Sequence, residues 1–198
     1  MIVTKDPMKA IEQQANDNGL PYLQMMENAG RAAFEHLMMC KPELRTAAVF
    51  CGSGNNGGDG FVLARLLKEE GVDVLLVLVM PQSKPKTPDA VTNYYRAAMA
   101  DIPMVVDRLL TEEDVQFILS ADAVVDGIYG TGFRGELSLE AEVCCGLMEK
   151  SRGLKLALDL PIGVECDTGR VAQGTAHMDV TVTFHAAKPC HSLAEEYC

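Results

Sequence analysis

The chain lacks an excess of basic residues. Its 17 Lys and Arg stand against 28 Asp and Glu, for a formal net charge of −11. Nucleic-acid backbones are held by clustered Lys and Arg, so nucleic acid is excluded as a main partner. A phosphorylated small molecule is not excluded, because backbone amides can bind it locally. The seven cysteines (Cys40, Cys51, Cys144, Cys145, Cys166, Cys190 and Cys198) include no CxxC pair and no Cys/His spacing suited to zinc. Their odd number, and the place of Cys51 in an apolar strand-like run, favour reduced thiols in a cytoplasmic protein. No basic start leads into an apolar run, so no signal peptide is expected. No apolar segment reaches membrane-spanning length, so no membrane partner is expected. Internal repeats and an interdomain linker are also missing. What remains, at 198 residues, 48% hydrophobic and 23% charged, is one soluble domain over residues 1–198 with a substantial core.

Residues 8–39 read as helices, with Leu23, Met26, Ala29, Ala33 and Leu37 on one face. Pro21 suits the first turn of the second helix, and Pro42 ends the helical region. Strands are then predicted at 47–51, 74–79, 104–106, 123–125, 155–158 and 180–184, and helices at 59–70, 87–100, 112–119 and 139–151. Residues 81–88 (PQSKPKTP) read as a surface loop. Short apolar strands alternating with helices predict a Rossmann-like, three-layer αβα sandwich with a mostly parallel sheet and N-terminal helices. Ligands bind such sheets at the carboxyl ends of the strands, near the point where strand order reverses. The segments that follow strands therefore carry the functional signal.

The first is GSGNNGGDG, residues 52–60, with five glycines in nine positions between a strand and a helix. Glycines relax backbone constraints and allow close approach, and the helix start presents unpaired N–H groups. The run matches GxGxxG, but no acidic residue ends the next strand, so an ordinary NAD dehydrogenase loses support. No Lys-Ser or Lys-Thr follows the glycines, which removes the P-loop reading. Asn55 and Asn56 can donate, accept or offer a carbonyl to a hard cation. Asp59 is as readily a helix cap as a ligand contact. Asp126 opens the second segment, DGIYGTGFRGE, either bonding its own backbone or standing near Asn56. Asp159 ends an apolar strand before Leu160-Pro161-Ile162-Gly163. A carboxylate there is a general acid/base candidate, with a turn-opening role equally open. Lys188 follows the last strand, and solvent exposure is the default for a lone lysine. His36, His177 and His191 have no visible partner and read as structural or surface groups; His185 is only slightly more interesting.

Together these segments resemble the NAD(P)H-hydrate epimerase family, the YjeF N-terminal domain. The resemblance rests on MENAGRA (residues 26–32), residues 52–60, residues 126–136 and Leu158-Asp159-Leu160-Pro161 with Gly163-Val164. Asp167-Thr168-Gly169 and residues 181–184 followed by Lys188 extend it over nearly the whole chain. It implies a domain that interconverts the R and S forms of NADHX and NADPHX, which are hydrated at C6 of the nicotinamide ring. A dehydratase partner, fused or separate, then restores NAD(P)H. By position, Asn55, Asn56, Gly57, Gly58, Asp59, Gly130, Thr131, Gly132, Phe133, Arg134, Gly135 and Glu136 would hold the substrate, with Asp159 at its reacting end. Asn56 and Asp126 would bind potassium. The family's Ser in that ion site is replaced by Ile162, which offers no side-chain oxygen. The resemblance also implies a final strand beyond Cys198, and it is compatible with a homodimer.

Epimerising a carbinolamine carbon needs no redox centre: a general acid releases the hydroxyl and water returns on the opposite face. A carboxyl group with a raised pKa suits the task. Asp159 is the expected acid/base, with Glu136 or Lys188 as the second group. A non-catalytic nucleotide-binding or protein-interaction module of the same fold is the alternative that Ile162 would mark.

Overall fold

The computed structural model describes residues 1–79, 85–106 and 108–198. Two helices, α1 (Lys5–Asp17) and α2 (Tyr22–Cys40), lead into β1 (Thr46–Gly52), α3 (Asn55–Glu69), β2 (Asp73–Val79), α4 (Pro88–Met99) and β3 (Met104–Val105). The second half runs α5 (Glu112–Ser120), β4 (Ala123–Gly127), α6 (Leu139–Lys150), β5 (Leu154–Leu158), β6 (Val180–Val182) and a short α7 (Cys190–Leu193), followed by a 3-10 turn at Glu195–Tyr197. The six described strands are ordered β3-β2-β1-β4-β5-β6. Every adjacent pair among them is parallel, so the predicted sandwich holds with a wholly parallel rather than mostly parallel sheet. None of the described helices is long and apolar enough to cross a membrane.

Alternation within β1 shows why the sheet is covered on both faces. Ala48 and Phe50 enter one core with Ile118, Cys145 and Met148 from α5 and α6. Ala47, Val49 and Cys51 enter the other with Leu37 of α2 and Phe61, Leu63 and Leu67 of α3. The buried stripe of α2 is Met26, Gly30, Ala33 and Leu37, and Leu23 and Ala29 stand half-buried beside it. Pro21 sits at the cap, one residue before the predicted first turn. The N-terminal helical region breaks at Gly19, whose φ of +93° ends α1.

Three boundaries differ from expectation, each for a tertiary reason. Helix α3 begins at Asn55, so most of the glycine run is helix. Its glycines serve close packing, and none between residues 52 and 60 has a positive φ. Strand β4 extends to Gly127 and takes Asp126 into the sheet. Strand β6 ends at Val182, because Thr183 and Phe184 turn towards Asp159 and Lys188. Residues 81–84 of the predicted Pro/Lys loop lie outside the described residues.

A local test of the fold is available at α5. Thr111 and Asp114 form a reciprocal capping box, and Arg108 pairs with Asp114. The Arg108 guanidinium holds the Asp114 carboxyl down at about 2, with the Thr111 bonds assisting. Thr111→Ala is expected to cost about 1 kcal/mol in thermal unfolding. Because the Asp114 pKa is depressed on folding, its contribution is present above about pH 4 and is lost as pH falls through about 2. The Thr111→Ala penalty is therefore expected to shrink over that window.

Candidate active site

Strand order reverses between β1 and β4. At their carboxyl ends, together with those of β5 and β6, lies a cleft of about 700 Å³. The switch point thus gathers all four segments singled out in the sequence. Asn55, Asn56, Asp59, Gly130, Thr131, Gly132, Phe133, Arg134, Glu136, Asp159 and Lys188 line it. Gly57, Gly58, Gly135 and Asp126 are not on its wall. Gly57 lies against the Gly52 carbonyl and Gly58 against Met26, where any Cβ would collide. Gly135 adopts φ +85° and donates its N–H to Glu165 Oε1 at 3.1 Å.

Asn56 stands in the first turn of α3 and ties two other strand ends to it. Its Nδ2 donates to the carbonyls of Tyr129 (2.8 Å) and Leu158 (3.0 Å). Its Oδ1 is buried with no hydrogen-bond partner among the described residues. Asp126 lies fully buried beneath the same loops. Its carboxylate accepts N–H bonds from Ile128 (3.0 Å) and Ile162 (2.6 Å), so both the local backbone bond and a long-range one are made. Burial pushes Asp126 up to about 7 despite those two donors, which marks a carboxylate short of positive charge. The Ile162 side chain turns into the sheet core and leaves only its main chain beside Asp126.

Asp159 follows β5 in the left-handed region, at φ +66°, a conformation that Asp tolerates better than most residues. Its carboxylate accepts a short bond from Lys188 Nζ and weaker ones from Thr183 Oγ1 (3.3 Å) and the Phe184 N–H (3.4 Å). Lys188 is 1% exposed, contrary to the default for a lone lysine. Its other two protons go to Thr183 Oγ1 and the Phe184 carbonyl, both at 2.9 Å, so the buried ammonium is fully satisfied. His191 clamps this pair from α7. Its Nε2 donates to the Asp159 carbonyl (2.8 Å), and its Nδ1 accepts the Lys188 N–H (3.0 Å). Burial lowers the His191 pKa, in keeping with that neutral tautomer.

Two further carboxyls face the same cleft. Burial pushes Asp59 well above the usual carboxylate range, with Asp159 and Glu12 adding to it and Lys188 opposing. Asp59 is an interior residue of α3 rather than its cap, which is Gly54. Glu12 of α1 is half-buried and also raised, mainly by burial. Glu136 sits at the rim, largely exposed and paired with Arg170 at 2.8 Å. Arg134 is tied to Asp167 at 3.2 Å. Glu12, Lys9, Lys86, Thr87 and Tyr129 also line the cleft. Tyr129 lies in the 126–136 segment, but no motif pointed to the other four residues, and His191 had been set aside for want of a partner. Lys9 and Glu12, three apart on one helix, were the only pattern that could have drawn attention. The whole arrangement offers several carboxyl groups, two of them raised by burial, around one fixed ammonium, a set suited to proton transfer without redox chemistry.

The family model described as YjeF-related protein N-terminus matches residues 22–190. The bifunctional NAD(P)H-hydrate repair enzyme Nnr of Archaeoglobus fulgidus is 37% identical over 99% of this chain and 39% of its own length. The chain therefore spans well under half of that relative. The NAD(P)H-hydrate epimerase of Rhodobacter capsulatus is 36% identical over 96% of this chain and 91% of its own length. That of Pirellula staleyi is 37% identical over 89% of this chain and 78% of its own. Among solved structures, yeast ynu0 superposes with a TM-score of 0.83 over 97% of this chain and 83% of that one, at 22% identity, a likeness of fold.

Proposed function

We propose an activity from the premise that this chain belongs to the family described as YjeF-related protein N-terminus: it interconverts the R and S forms of hydrated NADH and NADPH. The observation that carries the reading is the Asp159–Lys188 pair, held at a strand end in a cleft of nucleotide size. Relatives that carry the epimerase name and match most of their own length support it.

In this reading the substrate's phosphates lie beside the residues 130–136 loop and towards the start of α3, where helix N-terminal N–H groups can meet them. The hydrated ring lies against Asp159. Lys188, with all its protons committed, positions the Asp159 carboxylate and balances its charge. Asp159 then exchanges a proton with the C6 hydroxyl, or with the water that replaces it, while the ring nitrogen stabilises the cation between them. Asp59, whose carboxyl burial pushes upward, faces the bound nucleotide from α3. The hydrated product has to be consumed by a dehydration that restores NAD(P)H, so a dehydratase, fused or separate, is the functional partner. The test is the rate of R-to-S NADHX conversion with and without the purified chain. Binding without acceleration would favour the non-catalytic module instead.

Potassium fits the residues present. The orphaned Oδ1 of Asn56 and the charge-starved carboxylate of Asp126 would hold it, without a side-chain oxygen from Ile162. When bound it supplies a fixed positive charge beneath the cleft. Saturating potassium is expected to raise the melting temperature above that in equal sodium by about 3 °C, as ~1.4 kcal/mol does at ten times Kd for a chain of this size. Asn56→Ala is expected to erase the difference. Identical melting in the two salts removes potassium from the site.

A further inference from the structure

The family model begins at residue 22, so α1 lies outside its span. The helix is nonetheless docked firmly onto the cleft. Ile2 bridges to Ala187, and the Val3 N–H donates to the Ala187 carbonyl at 2.8 Å. The Lys5 N–H donates to Asp167 Oδ1 at 2.8 Å, and Val3, Met8 and Ala186 form a buried cluster with Ile11 against it. The segment that receives α1 is the one carrying Lys188. Docking there brings Lys9 and Glu12, one turn apart, into the same wall as Asp159.

Moving a hydroxyl from one face of a ring to the other calls for an acid–base group on each face. Asp159 serves one. Lys188 has spent its three protons on Asp159, Thr183 and Phe184. Glu136 is at the rim in an ion pair with Arg170. Asp59 is 8% exposed inside α3, poorly placed to exchange protons with water between turnovers. Glu12 lines the cleft and is only half-buried, so it is open to solvent as well as to the cleft.

Resting on the epimerase reading above, we propose that Glu12 is a catalytic residue, the acid–base group for the ring face that Asp159 does not serve. In one direction its carboxyl gives a proton to the C6 hydroxyl. The C6–O bonding pair leaves with the oxygen as water, and the ring nitrogen's lone pair stabilises the carbon cation. A second water adds at C6 from the Asp159 face and loses its proton to Asp159. The reverse direction exchanges the two roles, and bulk water returns each carboxyl to its starting state. The charged and titratable groups facing Glu12 are Lys9 on its own helix, Asp159 after β5, His185 and Lys188 after β6, and Asp59 on α3. Burial and Asp159 raise the Glu12 pKa, while Lys188, His185 and Lys9 oppose the rise, the direction that suits a proton-carrying group.

The experiment measures kcat, KM and R-NADHX binding for wild type, Glu12→Gln and Glu12→Asp from pH 5 to 9. Glu12→Gln is expected to lower kcat about 10²-fold, with the dissociation constant changed by less than about threefold, below the tenfold that 1.4 kcal/mol represents. Glu12→Asp is expected to recover part of the rate, and the Gln variant to lose one limb of the kcat–pH profile. A Gln variant with wild-type kcat and pH profile overturns the assignment. So does one that loses binding as much as rate, since that marks a structural role for α1. Wild type that converts R-NADHX no faster than buffer overturns the epimerase reading and this inference with it. Wild-type catalysis that Glu12→Gln leaves intact overturns the Glu12 role alone.

Discussion

Asp159→Asn is expected to lower kcat for R-to-S NADHX conversion by about 10²–10⁴-fold. Asparagine preserves the shape of the side chain and can still accept from Thr183 and the Phe184 N–H. It cannot carry the proton, and it removes the negative charge opposite Lys188. A lysine at 1% exposure then keeps only neutral acceptors, the asparagine oxygen, Thr183 Oγ1 and the Phe184 carbonyl, and has no counter-charge. Removing one partner of a buried pair costs about 3–5 kcal/mol, because the other charge is left uncompensated. Activity and melting temperature should therefore fall together. Lys188→Met separates the two effects. It leaves Asp159 partly exposed to the cleft with its hydrogen-bonding neighbours in place, so the rate falls for want of positioning. The double variant Asp159→Asn/Lys188→Met should be more stable than the Asn variant alone, in a double-mutant cycle read by thermal unfolding. Additive losses in that cycle would show that the pair is not coupled.

Gly57→Ala is expected to destabilise the chain by about 3 kcal/mol or more, through overpacking that the backbone alone must absorb. A Cβ at position 57 would stand 1.9 Å from the Gly52 carbonyl oxygen. Both sides of that contact are main chain, so no side chain can turn away. Helix α3 would have to withdraw from β1, carrying Asn56 away from the Tyr129 and Leu158 carbonyls that it bridges. Gly146→Ala supplies the contrast. Position 146 lies inside α6, and a Cβ there meets nothing within 4 Å. That substitution is expected to be neutral or stabilising by up to about 1 kcal/mol. Denaturant unfolding of the two variants reads both effects, and a Gly57→Ala variant as stable as wild type contradicts the close-packing role.

That contrast also shows what was legible in the sequence. Apolar strands alternating with helices were enough for the sandwich, because the period of burial is local information. Asp126 and Asp159 stood out because a carboxylate at the end of a buried strand is costly unless used. The purpose of the glycines was less legible. Their composition suggests a turn, whereas Gly57, Gly58 and Gly60 meet Gly52, Met26 and Cys51 inside a packed helix. Lys188 looked like solvent because its partners, Asp159 and Thr183, are joined to it only by the path of the chain through β5 and β6. Glu12 was invisible for the same reason at longer range: it reaches the cleft because Val3 and Lys5 find Ala187 and Asp167. The two groups expected to share the proton work beside Asp159 part company in the fold, Lys188 beside it and Glu136 with Arg170 at the rim.

The most direct measurement is the progress of purified R-NADHX towards the equilibrium mixture, followed by separation of the two epimers, in buffer alone and with the wild-type chain and Asp159→Asn. Acceleration by wild type, with Asp159→Asn still binding but returning the curve close to that of buffer, is the expected result. A wild-type curve that overlays the buffer curve while the nucleotide is bound contradicts the epimerase assignment.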